Sequence, residues 1–297
     1  MENRKVKSNR AQADYFELLV CQYICHRHNI KFAYSEKLLE LSNLILHLPN
    51  GEERLKLQHD NLEKLKPKLD EILDFEILRK GKIIEVLWVG RQLIIKTTSD
   101  IDVEHFTHKF TKFSVKSIFK TGFGTIKNLG MKSIRKYLGV DFTEQYEEMW
   151  KKLRNYLKED FASKRYLKIK VLKNEKLLQW ALENGKEYQK RLNDLCFDAF
   201  NKLSHNKKMN FLNFILDAND PDLYVIIVNA RGVVIYKPFE RRIESQQKIE
   251  AKEKTKVGYT IYIDEIPTYR VQTNATNGIG ISPFCQRIFF AEDIRNE

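Results

Sequence analysis

The chain has 297 residues, 42% of them hydrophobic and 11% aromatic. That is enough apolar material for one large or two ordinary domains, and it excludes a wholly disordered chain. Lysine and arginine number 52 against 40 acidic residues, a formal net charge of +12, and a surplus of this size points to a polyanionic partner, most commonly nucleic acid. No run of about 18 apolar residues occurs, so no membrane span is expected. Met1 to Arg10 is charged and no signal-type apolar stretch follows it, so a soluble, cytoplasmic protein is the expectation.

The four cysteines, Cys21, Cys25, Cys196 and Cys285, are too few and too scattered for a disulfide scaffold. Cys21 and Cys25 stand four apart beside His26 and His28, without the paired spacing of a zinc site. Their reading is as buried thiols on one helix stripe.

In chain order, Ser8 to His28 reads as a helix, with Phe16, Leu19, Val20, Tyr23 and Ile24 at helical spacing. Ser35 to His47 is a second helix, closed by the Pro49-Asn50-Gly51 turn, and Glu52 to Leu73 is a third, with Pro67 as a point of interruption. From Ile83 the chain becomes β-rich, with runs at 83–89, 92–98, 100–103 and 112–116. Gly122, Gly124 and Gly130 punctuate a basic loop. Glu144 to Leu216 is mostly helical. A hairpin is expected around Asn229-Ala230-Arg231-Gly232. Arg241 to Lys254 reads as a charged helix or mobile arm, and the strands Tyr259–Ile263, Tyr269–Thr273 and Ile288–Phe290 follow. The expected fold is α/β: a central mixed sheet flanked by helices, with a large helical insertion and a C-terminal β region. The expected segments are 1–143, a core with the N-terminal helices and active-site strands; 144–218, helical and suited to dimerisation; and 219–297, β-rich.

The segments Ser99-Asp100-Ile101-Asp102-Val103 and Phe113-Ser114-Val115-Lys116-Ser117 carry the chemistry. Residues two apart in a strand share a face. Asp100 and Asp102 therefore oppose Ile101 and Val103, and Ser114 and Lys116 oppose Phe113 and Val115. If the strands pair antiparallel, one face is core and the other collects carboxylate, hydroxyl and ammonium groups. Carboxylates are hard ligands for Mg²⁺, a bound Mg²⁺ activates water and polarises phosphate, and a neighbouring lysine offsets developing negative charge.

At these residues the sequence resembles the PD-(D/E)XK nuclease superfamily, in particular type II restriction endonucleases, whose motif is an Asp at one strand and an acidic-x-Lys on the next. Asp100 matches the first position, with Asp102 as the alternative, and Lys116 matches the last. Ser114 stands where the family usually has an acid, and related Ser-x-Lys enzymes take the missing carboxylate from a helix. The resemblance therefore implies a restriction-endonuclease-like core and an acid from the helix around Asn9 to Glu17. Glu17 is the candidate, and Gln12 and Asp14 are further candidates for that face. It implies Asp100, Glu17 and Asp102 as metal ligands, Mg²⁺ as cofactor with no organic cofactor, and double-stranded DNA as substrate. Cleavage of a palindromic site implies a homodimer. Another nuclease of the superfamily, acting in repair or on DNA structure, and a non-catalytic nucleic-acid-binding protein are the alternatives.

Lys120, Lys127 and Asn128 lie in the Gly-rich basic segment, which reads as a contact to the DNA backbone. The alternation Arg270, Gln272, Asn274, continued by Asn277, reads as base readout, since arginine suits guanine and the amides suit adenine in the major groove. Gln286 and Arg287 join that set by proximity in sequence, and Arg241 reads as a phosphate contact.

Overall fold

The computed structural model describes residues 2–90, 99–118, 124–275 and 279–291, with side chains from Arg10 onward. The expected strand at 92–98 lies outside the described residues. The elements in chain order are α1 (Glu2–Arg27), α2 (Ser35–Leu46), α3 (Gly51–Lys80), β1 (Ile83–Trp88), β2 (Ile101–His105), β3 (Phe110–Ser117), β4 (Lys127–Gly130), α4 (Met131–Leu138), α5 (Thr143–Leu157), α6 (Lys164–Leu172), α7 (Glu175–Lys202) and α8 (His205–Ile215). They continue with β5 (Leu223–Asn229), β6 (Gly232–Tyr236), a 3-10 turn (Pro238–Arg241), β7 (Ile249–Lys252), β8 (Gly258–Ile263), β9 (Ile266–Ala275) and β10 (Phe284–Phe290). The fold is mixed α/β as expected, with a five-stranded mixed sheet, a second, antiparallel five-stranded sheet and flanking helices. Among the described residues no helix is long and apolar enough to cross a membrane.

The chain divides into two compact units, each assembled from two chain segments: 1–123 with 217–242, and 124–216 with 243–297. This cuts across the three consecutive segments expected from sequence. The reason is strand pairing, because β5 lies parallel to β3 with Lys112 opposite Leu223 and Ser117 opposite Val228.

The first unit carries a mixed sheet in the order β1-β2-β3-β5-β6. β1, β2 and β3 form an antiparallel meander, and β5 and β6 close as a hairpin with Asn229 opposite Gly232. The Asn229 side chain accepts the amides of Arg231 and Gly232, which lets two residues turn the chain. One sheet face presents Ile101, Val103, Phe113, Val115, Ile226 and Val228 to a core that α1 fills with Phe16, Leu19, Val20 and Ile24. α3 runs unbroken through Pro67. Pro67 removes one helical hydrogen bond, but Leu62 and Leu65 before it and Leu69 and Leu73 after it all sit in the same core, and burial holds both halves in line.

One end of this unit is braced by buried charge. Glu76 is fully buried and accepts hydrogen bonds from Tyr224 Oη at 2.7 Å and Arg79 at 2.9 Å. The Lys80 ammonium lies 2.9 Å from its second oxygen and also donates to Phe110 O, Thr111 Oγ1 and Asp222 Oδ1. Burial alone would raise the Glu76 pKa; the Tyr224 and Lys80 hydrogen bonds and the Lys80 and Lys237 cations overcome it and hold it at about 2.

The second unit carries an antiparallel sheet in the order β4-β10-β9-β8-β7. Its inner face, with Leu129, Tyr259, Ile261, Val271 and Ile288 buried, packs on α7, where Phe197 meets the Tyr259 ring edge-on at 5.6 Å. The backbone of Gly280 presses against α7 so closely that a Cβ there would lie 1.8 Å from Ala181 O, so no other residue fits. Residues 241–254 form the end of the 3-10 turn and the edge strand β7, not the helix or arm expected from their charge. Ile249 and Ala251 alternate inward and pair with β8.

Removing the Glu76 charge leaves the buried Lys80 ammonium with Asp222 as its one remaining carboxylate partner among the described residues. Glu76→Gln is expected to cost about 3–5 kcal/mol, read from urea unfolding. A carboxylate depressed in the folded state stabilises above its ordinary pKa of 4.5 and loses that contribution as pH falls towards 2. The parent should therefore show an acid-dependent loss across that window that the variant lacks.

Candidate active site

β2 and β3 pair antiparallel, with Ile101 opposite Phe113 and Asp102 opposite Lys112. The ladder continues one residue beyond β2, where the Asp100 amide donates to Phe113 O at 2.8 Å. Asp100 Oδ2 then accepts the Val115 amide at 2.8 Å, and the Ser114 hydroxyl also hydrogen-bonds the carboxylate. The Asp100 side chain is thereby fixed across the end of two adjoining strands. Lys116 lies on the same strand face as Ser114, by the alternation of β3, and its positive charge acts on Asp100.

The Asp100 carboxyl sits above its ordinary range. Burial is the main cause, and the Asp14 charge adds to it. The Val115 amide, the Ser114 hydroxyl and the Lys116 ammonium pull in the other direction without cancelling the burial. Negative charge is thus crowded where water is scarce.

The rest of that charge comes from α1. Gln12, Asp14 and Glu17 are buried, Asp14 at 5% and Glu17 at 7% exposure. Glu17 Oε2 accepts the Trp88 indole N–H at 2.7 Å. Gly90 makes room for it, since a Cβ at residue 90 would lie 2.7 Å from that same oxygen. Cys21, one turn further along α1, has its thiol pushed well up, first by burial and then by the charges of Cys25, Glu17 and Asp100. The helix carboxylate and the sheet carboxylate therefore share one neighbourhood.

The structure thus brings together Asp100, Ser114 and Lys116 and sets Asp14 and Glu17 near them. Asp102 stands in a different environment. It accepts from Ser99 Oγ at 2.5 Å; burial raises its pKa, the Lys112 cation lowers it and the Asp220 charge raises it, while Lys112 itself pairs with Asp220 at 2.8 Å. The residue that anchors Glu17, Trp88, carried no sequence signal, because a hydrogen bond between residues 71 apart leaves no local pattern.

The residues read as DNA contacts fall in several places. Lys120 and Asn277 lie outside the described residues. Arg241 belongs to the first unit, its guanidinium 4.6 Å from the Tyr236 ring centre. Lys127 shares the inner-facing side of β4 with Leu129, and its ammonium lies 5.2 Å from the Phe214 ring centre. Gln286 has to be removed from the readout set, because it is fully buried on the inner face of the second sheet, with Tyr259 Oη and Thr273 Oγ1 each 3.5 Å away. Asn128, Arg270, Gln272, Asn274 and Arg287 all point to the opposite, outer face.

No protein-family model matches the chain, and no curated protein matches it. Among the described residues no three His, Cys, Asp or Glu side chains converge as a ready-made metal cage. Mg²⁺ does not need one, since it is usually held by one or two carboxylates and fills its shell with water and phosphate oxygens. The donor set around Asp100 fits such an ion: hard oxygen ligands, buried, with an adjacent like charge that a cation would relieve.

Because its pKa is raised in the folded state, ionised Asp100 destabilises the protein at neutral pH. Asp100→Asn keeps an oxygen acceptor for the Val115 amide and removes the charge. The variant is expected to unfold at a higher temperature than the parent at pH 7, with the difference shrinking as pH falls through the raised folded-state value of Asp100 towards its ordinary 3.8. A lower melting temperature at pH 7 would contradict the crowded-charge description.

Proposed function

We propose that the chain is a Mg²⁺-dependent deoxyribonuclease of PD-(D/E)XK type, and within that class a type II restriction endonuclease that cuts double-stranded DNA as a cytoplasmic homodimer. The observation that carries the reading is the Asp100 carboxylate pinned by the Val115 amide and the Ser114 hydroxyl, with the Lys116 ammonium beside it. The Ser-x-Lys form of the motif calls for an acid from a helix, and the buried Glu17 of α1, with Asp14 close by, supports it. The mixed sheet, with the two motif strands antiparallel and β5 parallel to the second, is a suitable frame. The net charge of +12 suits a polyanionic substrate.

In this reading Asp100 and Glu17 hold the ion, which when bound polarises the scissile phosphate and acidifies a water. Ser114 and the Val115 amide fix the orientation of the Asp100 oxygens. The Trp88 N–H does the same for Glu17. Lys116 positions the attacking water and offsets the charge that grows on the phosphate oxygens.

The test is incubation of supercoiled plasmid with purified protein, with Mg²⁺ or with EDTA. Discrete fragments that need Mg²⁺ are expected, and Lys116→Ala should slow cutting by at least about 100-fold while leaving the melting temperature within a few degrees of the parent. A smear would replace the restriction reading with another nuclease of the superfamily. Full cutting by Lys116→Ala would overturn the site assignment, and no cutting by a folded parent would overturn catalysis.

A further inference from the structure

The register of the second sheet gathers residues that sequence alone leaves scattered. Arg287 on β10 stands opposite Gln272 on β9 and opposite Asn128 on β4. Arg270 stands opposite Phe289 on β10 and Thr260 on β8. Arg270 and Arg287 are therefore diagonal neighbours, about 7–8 Å apart at the backbone. Gln272 and Asn128 are exposed, and both arginines are half-buried.

The charge on this face is uneven. At the β7 edge the lysines are neutralised: Lys248 lies 2.8 Å from Glu265 and 3.3 Å from Glu250, and Lys252 lies 2.7 Å and 3.0 Å from the same two carboxylates. The strands β4, β9 and β10 contain no Asp or Glu. Arg270 and Arg287 have no ion-pair partner among the described residues. Two neighbouring guanidinium groups repel each other, and an anion that bridges them removes the penalty. The amides of Gln272 and Asn128 beside them are donors suited to phosphate oxygens.

We propose that this outer face grips the phosphodiester backbone of duplex DNA through Arg270 and Arg287, with Gln272 and Asn128 completing the contact. The choice of DNA rests on the nuclease reading above. Sheet width decides for backbone over base edges. Five strands at about 4.8 Å spacing span about 19 Å, whereas the major groove is about 12 Å wide. A face that broad does not enter the groove, so Arg270 and Arg287, on adjoining strands of it, meet the duplex at the level of its phosphates.

The experiment measures binding of the full chain in EDTA to a fluorescent mixed-sequence duplex, by anisotropy, over a range of salt. The double variant Arg270→Ala/Arg287→Ala is expected to bind on the order of 10- to 100-fold more weakly. Its slope of log affinity against log salt should be shallower by about 1.8, with the same loss on unrelated duplexes. Arg270→Lys/Arg287→Lys should restore most of the slope. An unchanged slope in the alanine double variant overturns the proposal. A loss confined to one sequence overturns it in favour of base readout, and a larger loss on single strands than on duplex overturns the choice of duplex. The two readings fail separately. A parent that binds with this slope but cuts nothing sinks only the nuclease, and a parent that cuts while the alanine variant binds normally sinks only the grip.

Discussion

The hydrogen bond from the Val115 amide to Asp100 Oδ2 is the contact on which the candidate site depends. It is made where β2 has not yet begun, so the carboxylate takes the place of a backbone carbonyl at the end of the ladder. That substitution spends Oδ2 on the scaffold, and the Ser114 hydroxyl adds a second hydrogen bond to the carboxylate. It also sets Asp100 on the face of Lys116. A slip of one residue between β2 and β3 would turn either Asp100 into the apolar core or Phe113 out of it, so the core packing that keeps Ile101, Phe113 and Val115 buried also keeps Asp100 on the face of Ser114 and Lys116.

The first unit contains two buried charge clusters with opposite character. Around Glu76 every anion has a cation within hydrogen-bonding distance, and the carboxyl is held down at about 2. Around Asp100 the carboxyl is pushed up and the nearest helix contributes further acid. Balanced burial of charge is what a scaffold requires. Unbalanced burial costs stability and is the usual mark of a working site. The contrast within one unit sets the Asp100 cluster apart from the Glu76 brace as the candidate for chemistry.

The motif strands were legible because they alternate strictly: Asp100, Asp102, Ser114 and Lys116 on one face, Ile101, Val103, Phe113 and Val115 on the other. α1 was legible through its apolar stripe, but the burial of Glu17 was not, since its hydrogen-bond partner Trp88 lies 71 residues away. What the sequence hid depends on partners distant in the chain. Asp102 shares a face with Asp100 but answers to Lys112 and Asp220. Gln286 looks like a free amide, yet the alternation of β10 turns it inward among side chains from two other strands. Residues 241–254 look helical by charge, but Ile249 and Ala251 are spaced for a strand, and only β8 provides the partner. The division into units was hidden for the same reason, since nothing local to Leu223–Asn229 says that it completes a sheet begun at Ile83.

That delayed completion has a consequence during synthesis. The chain leaves the first sheet after β3 at Ser117 and returns only with β5 at Leu223. Until then the β3 edge, with its row of unsatisfied amides and carbonyls, has no neighbour, and such an edge invites pairing with another nascent chain. The intervening stretch carries β4 and the helices α4 to α8, and helices form from local contacts, which are made faster than distant strand pairs. The order of translation therefore places helices between the two halves of the first sheet, and the strand that closes the β3 edge is made only after them.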